Sequence, residues 1–332
     1  MTEVKVLKYL GDHLSVNLEE SVYQTVIKRV VIAKHAIFEI RSVIEDTRAN
    51  IFGSVNVAFM IWETAIIPML TFNSESWFGM NKKTLKILDD LFHTFCRAIF
   101  RVSTGCPIPS FYWESGSLKF SNIILQRQLN FIHHLANLEE GSVARSIFEE
   151  EVQNSRPGLY QTCQEHLSSM GISDLKSIPK PYFKKVVKKY IFARNQKQLL
   201  DEIRKYKKLS YDQLSQETFE RKPYFFNQSL ENARMCFRVA TKLVPTILAN
   251  FPSKYRRRGQ SLTCPSCSTP VSSELEVGEQ QMEPLHSQSH ILTECEAVRD
   301  IRDECEPQDD FSLAQFFKKV VARNMEIEDL LT

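Results

Sequence analysis

Hydrophobic positions recur in steps of three and four over most of the chain. From Ser21 onward, Val22, Val26, Val30, Ala33, Ile37, Ile40 and Ile44 share one side of a 3.6-residue period, which predicts an amphipathic helix about seven turns long. Val55 to Leu70 is apolar nearly all round and reads as the buried centre of a bundle, kinked or ended by Pro68. Leu85, Leu88, Phe92, Phe95 and Ile99 mark another helix, broken by Pro107 and Pro109, and Leu125, Leu129, Ile132 and Leu135 mark the next. Near the end, Leu313, Phe316, Phe317, Val320 and Val321 share a side after Asp309-Asp310, an acidic pair that suits a helix start. Only residues 4–10, VKVLKYL, alternate as a strand does, and they stop in a turn at Gly11-Asp12.

Composition supports the same reading. The chain has 332 residues, 43% of them apolar, enough for one large core or a few smaller ones. Its ten glycines are about 3% of the chain, under half the usual share, too few for a glycine-dependent nucleotide-binding sheet, sandwich or propeller. The expected fold is mainly α: a helical bundle, a basic helical region and a small C-terminal zinc knuckle. The expected boundaries are a strand and turn over 1–16, a bundle over 17–155 ending at Arg156-Pro157-Gly158, a basic aromatic-rich region over 156–258, and a metal module with a terminal helix over 259–332. Residues 259–289, rich in Ser, Thr, Pro, Gln and Glu, read as a spacer.

Charge separates these regions. The net charge is only +2, yet Lys180 to Lys208 holds eleven Lys or Arg against Asp201 and Glu202, a net of +9. Lys254, Arg256, Arg257 and Arg258 form a second basic cluster, whereas Glu274 to Asp310 carries twelve acidic residues against Arg299 and Arg302, a net of −10. Lysines track phosphates and aromatic rings stack on bases, so Lys184, Lys185, Lys188, Lys189, Arg204, Lys205, Lys207, Lys208 and the second cluster are candidate contacts to RNA or DNA. The plain alternative is an ordinary helix whose Tyr182, Val186, Val187 and Tyr190 pack inward.

The sharpest chemical pattern is Cys264-Pro-Ser-Cys267 followed by His290 and Cys295. Two thiolates on one tight turn, with an imidazole and a thiolate from a second segment, suit tetrahedral Zn²⁺, and a closed four-ligand site is structural. His286 and Cys305 compete for a place in the set. Cys96, Cys106, Cys163 and Cys236 read as packing residues, and Trp62, Trp77 and Trp113 as core anchors. Ile87-Leu88-Asp89-Asp90 looks like the tail of a polymerase YxDD box, but its neighbours repeat at helical spacing, so the aspartates read as a solvated helix face. The adjacent His133 and His134 point to different sides of their helix and cannot chelate one ion. No phosphate-binding glycine loop, GxSxG or HExxH occurs, so no active site and no small-molecule substrate are expected. Without a signal-peptide pattern or a bilayer-length apolar run, the expected location is intracellular, nuclear or cytoplasmic, with no membrane partner.

The order of landmarks then becomes informative: Lys8-Tyr-Leu-Gly-Asp12, Ile61-Trp62-Glu63 with Pro68, Glu75-x-Trp77, Thr104-Gly105-Cys106-Pro107-Ile108-Pro109, Trp113-Glu114-x-Gly116, His134-Leu135, Ala144-Arg145-x-Ile147-Phe148-Glu149, and the terminal cysteine–histidine pattern. Across essentially the whole chain this resembles the region C-terminal to the palm in reverse transcriptases of the non-LTR retrotransposon class. The resemblance implies that Leu10-Gly11 belongs to a primer grip, that the helices form a thumb and connecting region holding template-primer, and that the Cys-Cys-His-Cys module engages RNA or target DNA. The palm aspartates that hold Mg²⁺ in that family would lie upstream of residue 1, so this chain is expected not to polymerise. The expected function is therefore nucleic-acid binding without catalysis. The competing expectation is a domesticated helical scaffold whose zinc module and acidic tail bind proteins, with partner binding lost on mutating Phe316 or Phe317.

Overall fold

The helix read from Ser21 onward is α1, Leu18–Asp46, and its whole stripe from Val22 to Ile44 is buried. The structure is a computed structural model that describes residues 6–9, 12–15, 18–46, 53–77, 80–102, 106–154, 158–206, 219–241, 299–305, 315–317 and 319–320, those up to 18 and Asp46 by backbone alone. It is mainly helical. Strands β1 (Val6–Tyr9) and β2 (Asp12–Ser15) pair antiparallel, Val6 opposite Ser15 and Tyr9 opposite Asp12, and β2 lies against α1. Only the first strand carries an alternating pattern; the second, Asp-His-Leu-Ser, is polar and takes its conformation from pairing.

The next apolar stretch is α2 (Ser54–Ile61), a wider turn over Trp62–Ile66, and α3 (Ile67–Leu70). The Ile67 N–H reaches the Trp62 carbonyl five residues back, just ahead of Pro68, which has no N–H to donate. This segment is not buried all round, as its composition suggested: Val57 and Met60 are half exposed, because one side faces solvent. The opposite side meets α4 (Lys82–Phe100), where Trp62 stacks on Phe95 at 4.6 Å and Phe59 and Phe92 pack edge-on. Helix α5 (Ile108–Ser115) is buried from Pro109 to Ser115 and places Tyr112 against Phe92 at 4.5 Å. Trp62, Trp77 and Trp113 are all core residues, and Cys96, Cys106, Cys163 and Cys236 are buried, as expected.

Helices α6 (Phe120–Ala136), α7 (Val143–Asn154), α8 (Leu159–Ser169) and α9 (Lys180–Ile203) build a second cluster. Leu125, Leu129 and Ile132 of α6 meet Phe148 of α7, Cys163 and Leu167 of α8, and Phe183, Val187 and Ile191 of α9. The basic helix thus shares its core with the helices before Arg156-Pro157-Gly158, because its apolar stripe is covered by α6.

Two compact units result: residues 1–49, 55–99 and 107–222 form the first, and 50–54, 100–106 and 223–332 the second. In the first unit the segment around Phe219 crosses the end of α5. Gly116 there has φ +64°, and a Cβ on it would stand 2.6 Å from the Arg221 nitrogen. In the second unit lie α10 (Tyr224–Asn227), α11 (Leu230–Ala240), capped by Ser229, and α12 (Arg299–Cys305). Phe100 stacks on Phe237 at 4.0 Å and meets Phe225 edge-on. Phe316, Phe317 and Val320 are buried, and the two phenylalanine rings meet edge-on at 5.1 Å.

Candidate nucleic-acid interface

Helix α9 starts at Pro179-Lys180-Pro181, a sequence that fits the first turn because proline needs no N–H partner there. Its buried positions fall at four-residue steps: Phe183, Val187, Ile191, Asn195, Leu199 and Ile203. That stripe leaves Lys184, Lys185, Lys188 and Lys189 on the solvated side, all exposed and without a carboxylate partner among the described residues. The plain reading holds for the lysines and for Val187, but not for the rest of its inward set: Val186 is only partly buried, and four cations without an ion-pair partner among the described residues stand within two turns. Tyr182 beside them is 61% exposed, whereas Tyr190 is half-buried and its hydroxyl lies 2.8 Å from His166 Nδ1. Burial, with Arg194 nearby, holds the His166 pKa below its ordinary value, so it adds little positive charge near neutral pH. Phe192 is partly covered by Phe219 at 5.2 Å.

Two fully buried amides set the rotation of α9. Asn195 Oδ1 accepts from the Lys119 N–H at the start of α6 and from Asn122 Nδ2, each at 2.9 Å. Asn122 Nδ2 also donates to Gln198, and Arg194 Nε donates to Asn122 Oδ1 at 3.1 Å. The Lys119 ammonium completes the seam on the Glu202 carboxylate. Because buried amides tolerate few geometries, the seam fixes which way the lysines point.

Among the other candidates, Arg204 pairs with Asp201 at 3.2 Å, which lowers its value as a phosphate contact, and Lys205 is exposed. Lys207, Lys208, Lys254, Arg256, Arg257 and Arg258 lie outside the described residues, as do Cys264, Cys267, His286, His290 and Cys295. Cys305, the competing ligand, is half-buried on α12. No group of three or more His, Cys, Asp or Glu placed to hold a metal occurs among the described residues.

Asp90 is solvated as expected, but Asp89 is not: Tyr112 donates to its carboxylate at 2.7 Å, and burial pushes its pKa up. Both sit on α4, so the pair has no strand-turn-strand setting.

Sequence reading passed over a cleft of about 340 Å³ beside Lys180. His133, His134, Asn137, Lys176 and Ser177 line it together with that lysine. His133 is buried and His134 exposed, on different sides of α6 as their adjacency required. The signal available was Lys176-x-x-x-Lys180 flanking a proline, which means little until α6 supplies the opposite wall.

No known protein family, curated protein or solved structure matches the chain. Among the described residues, no helix is long and apolar enough to cross a membrane.

Proposed function

We propose that this chain binds RNA or DNA without acting on it, as the C-terminal, thumb-like part of a retrotransposon-type reverse transcriptase. The observation that carries the reading is the exposed face of Lys184, Lys185, Lys188 and Lys189, none of which has a carboxylate partner among the described residues, held in orientation by the Asn122–Asn195 seam. Such a face recognises backbone charge rather than sequence. A structural Zn²⁺ on Cys264, Cys267, His290 and Cys295 completes the proposal, since three thiolates and an imidazole form a donor set that zinc accepts.

The test is fluorescence anisotropy with single-stranded RNA and DNA across salt. Affinity should fall steeply with salt, the logarithmic slope being about −0.7 per phosphate neutralised on a single strand. Changing all four lysines to glutamine should weaken binding and flatten that slope while the helical content stays unchanged. An affinity indifferent to salt, or to the four substitutions, refutes the reading. A primer-extension assay with Mg²⁺ should show no turnover.

One observation favours the scaffold reading instead. Val31, Ile32, Phe38 and Val43 are each more than half exposed on α1, a concentration of apolar surface that suits protein contact. A pull-down that keeps its partners after nuclease treatment would support it.

A further inference from the structure

The cleft beside Lys180 has the chemistry of an anion seat. The polar side chains that line it are lysine, histidine, serine and asparagine, and no carboxylate is among them. Lys176 is oriented by Glu149 at 3.0 Å, outside the lining, whereas Lys180 has no carboxylate partner among the described residues.

Its walls are built before any ligand arrives. The His133 ring stacks on Phe183 with centroids 4.3 Å apart, and its Nε2 lies 2.9 Å from the Ile178 carbonyl, which places the proton on that nitrogen. Asn137 Nδ2 donates to the Leu175 carbonyl at 3.2 Å and to the His133 carbonyl at 2.8 Å. These bonds tie the segment before α9 to the last turn of α6, so little ordering remains to oppose binding.

Size narrows the ligand. A volume of about 340 Å³ exceeds what a bare phosphate fills and lies at the lower end of small-ligand pockets. It leaves room for a phosphate and its sugar, with Ile178 and Pro179 as apolar wall. Position narrows it further. Lys180 opens the row Lys180, Lys184, Lys188, which advances roughly 6 Å per four-residue step along the helix.

From this arrangement we infer that the cleft seats one phosphate-bearing nucleotide of a strand whose backbone then follows the lysine row. The inference rests on the nucleic-acid reading above and adds to it a defined seat.

The experiment uses the full chain with His134→Ala and Lys180→Gln combined. Both side chains are exposed and neither makes a hydrogen bond to another described residue, so the fold should survive, which a thermal melt checks. Two probes are titrated: a labelled single-stranded oligonucleotide by anisotropy, and adenosine 5′-monophosphate by calorimetry. The double variant should bind the oligonucleotide roughly tenfold more weakly and lose the mononucleotide signal. Lys184→Gln/Lys188→Gln should weaken the oligonucleotide alone. If the double variant binds the oligonucleotide as well as the parent does, the cleft proposal falls while the lysine face stands. If the parent binds mononucleotide but no oligonucleotide, the seat stands as a free-nucleotide site and the polynucleotide reading falls. If it binds neither, both fall.

Discussion

Tyr112 donates its hydroxyl to Asp89 across 2.7 Å, joining α5 to α4 where the tyrosine has no exposed surface. Burial is the main influence on both groups. It raises the Asp89 pKa against the opposing effects of the Tyr112 bond and Lys119, and it raises that of the Tyr112 hydroxyl well above its usual value. Tyr112→Phe should destabilise the protein by about 1–3 kcal/mol, because it strands a desolvated carboxylate oxygen. Asp89→Asn keeps an acceptor and removes the charge. A carboxyl whose folded pKa is raised contributes stability that is full below its unfolded value and is lost as pH rises through the folded one. Urea melts at several pH values should therefore find Asp89→Asn at least as stable as the parent near neutrality. A clear loss there would contradict this account.

His93 should make the fold acid-sensitive. Burial, then Arg97 and Lys119, lower its pKa to about 4, and neither ring nitrogen has a hydrogen-bond partner. A depressed folded pKa gives stability that is present above about 6.5 and lost as pH falls toward 4, on the order of 3 kcal/mol. His93→Leu should remove that part of the pH dependence and leave the protein more stable than the parent at pH 4. Parallel stability curves for the two proteins would contradict it.

Gly116 should resist substitution. Its φ of +64° suits glycine, and any Cβ would press on the backbone of Glu220 and Arg221, where the Lys222 N–H donates to the Glu114 carbonyl. Gly116→Ala should cost about 1–3 kcal/mol in a chemical melt and shed the Phe219 segment, read as faster proteolysis near residue 219. An unchanged midpoint would show that this approach of the two segments is not tight.

Metal content provides a separate check. Elemental analysis should find about one zinc ion per chain, and Cys264→Ser or Cys295→Ser should abolish it. The first unit's cooperative melt should survive chelation, since its core draws on no proposed ligand. Metal-free protein would end the zinc proposal.

Much of the helical frame was legible because burial on one side imprints a period. All seven positions from Val22 to Ile44 announce α1, and the α4 and α6 stripes are buried except for Leu85 and Leu135, which are only partly covered. What escaped depends on contacts between segments remote in the chain. Nothing local marks Asn195 as the acceptor for Lys119, or Gly116 as the site of a close approach by Arg221. Asp89 read as solvated because its partner is 23 positions away. The candidate interface was legible as charge but not as shape: the lysines are plain in the sequence, while the cleft needs the last turn of α6 against the segment before α9.

The second unit joins short pieces from far upstream, residues 50–54 and 100–106, to the chain from 223 on. Gly53 donates its N–H to the Gln228 carbonyl, and Phe100 lies flat against Phe237. No single cut can therefore separate the halves cleanly. Shortening the chain at 222 would leave Phe100 stripped of its stacking partner, so an isolated N-terminal half should aggregate unless that aromatic is also replaced by a polar residue.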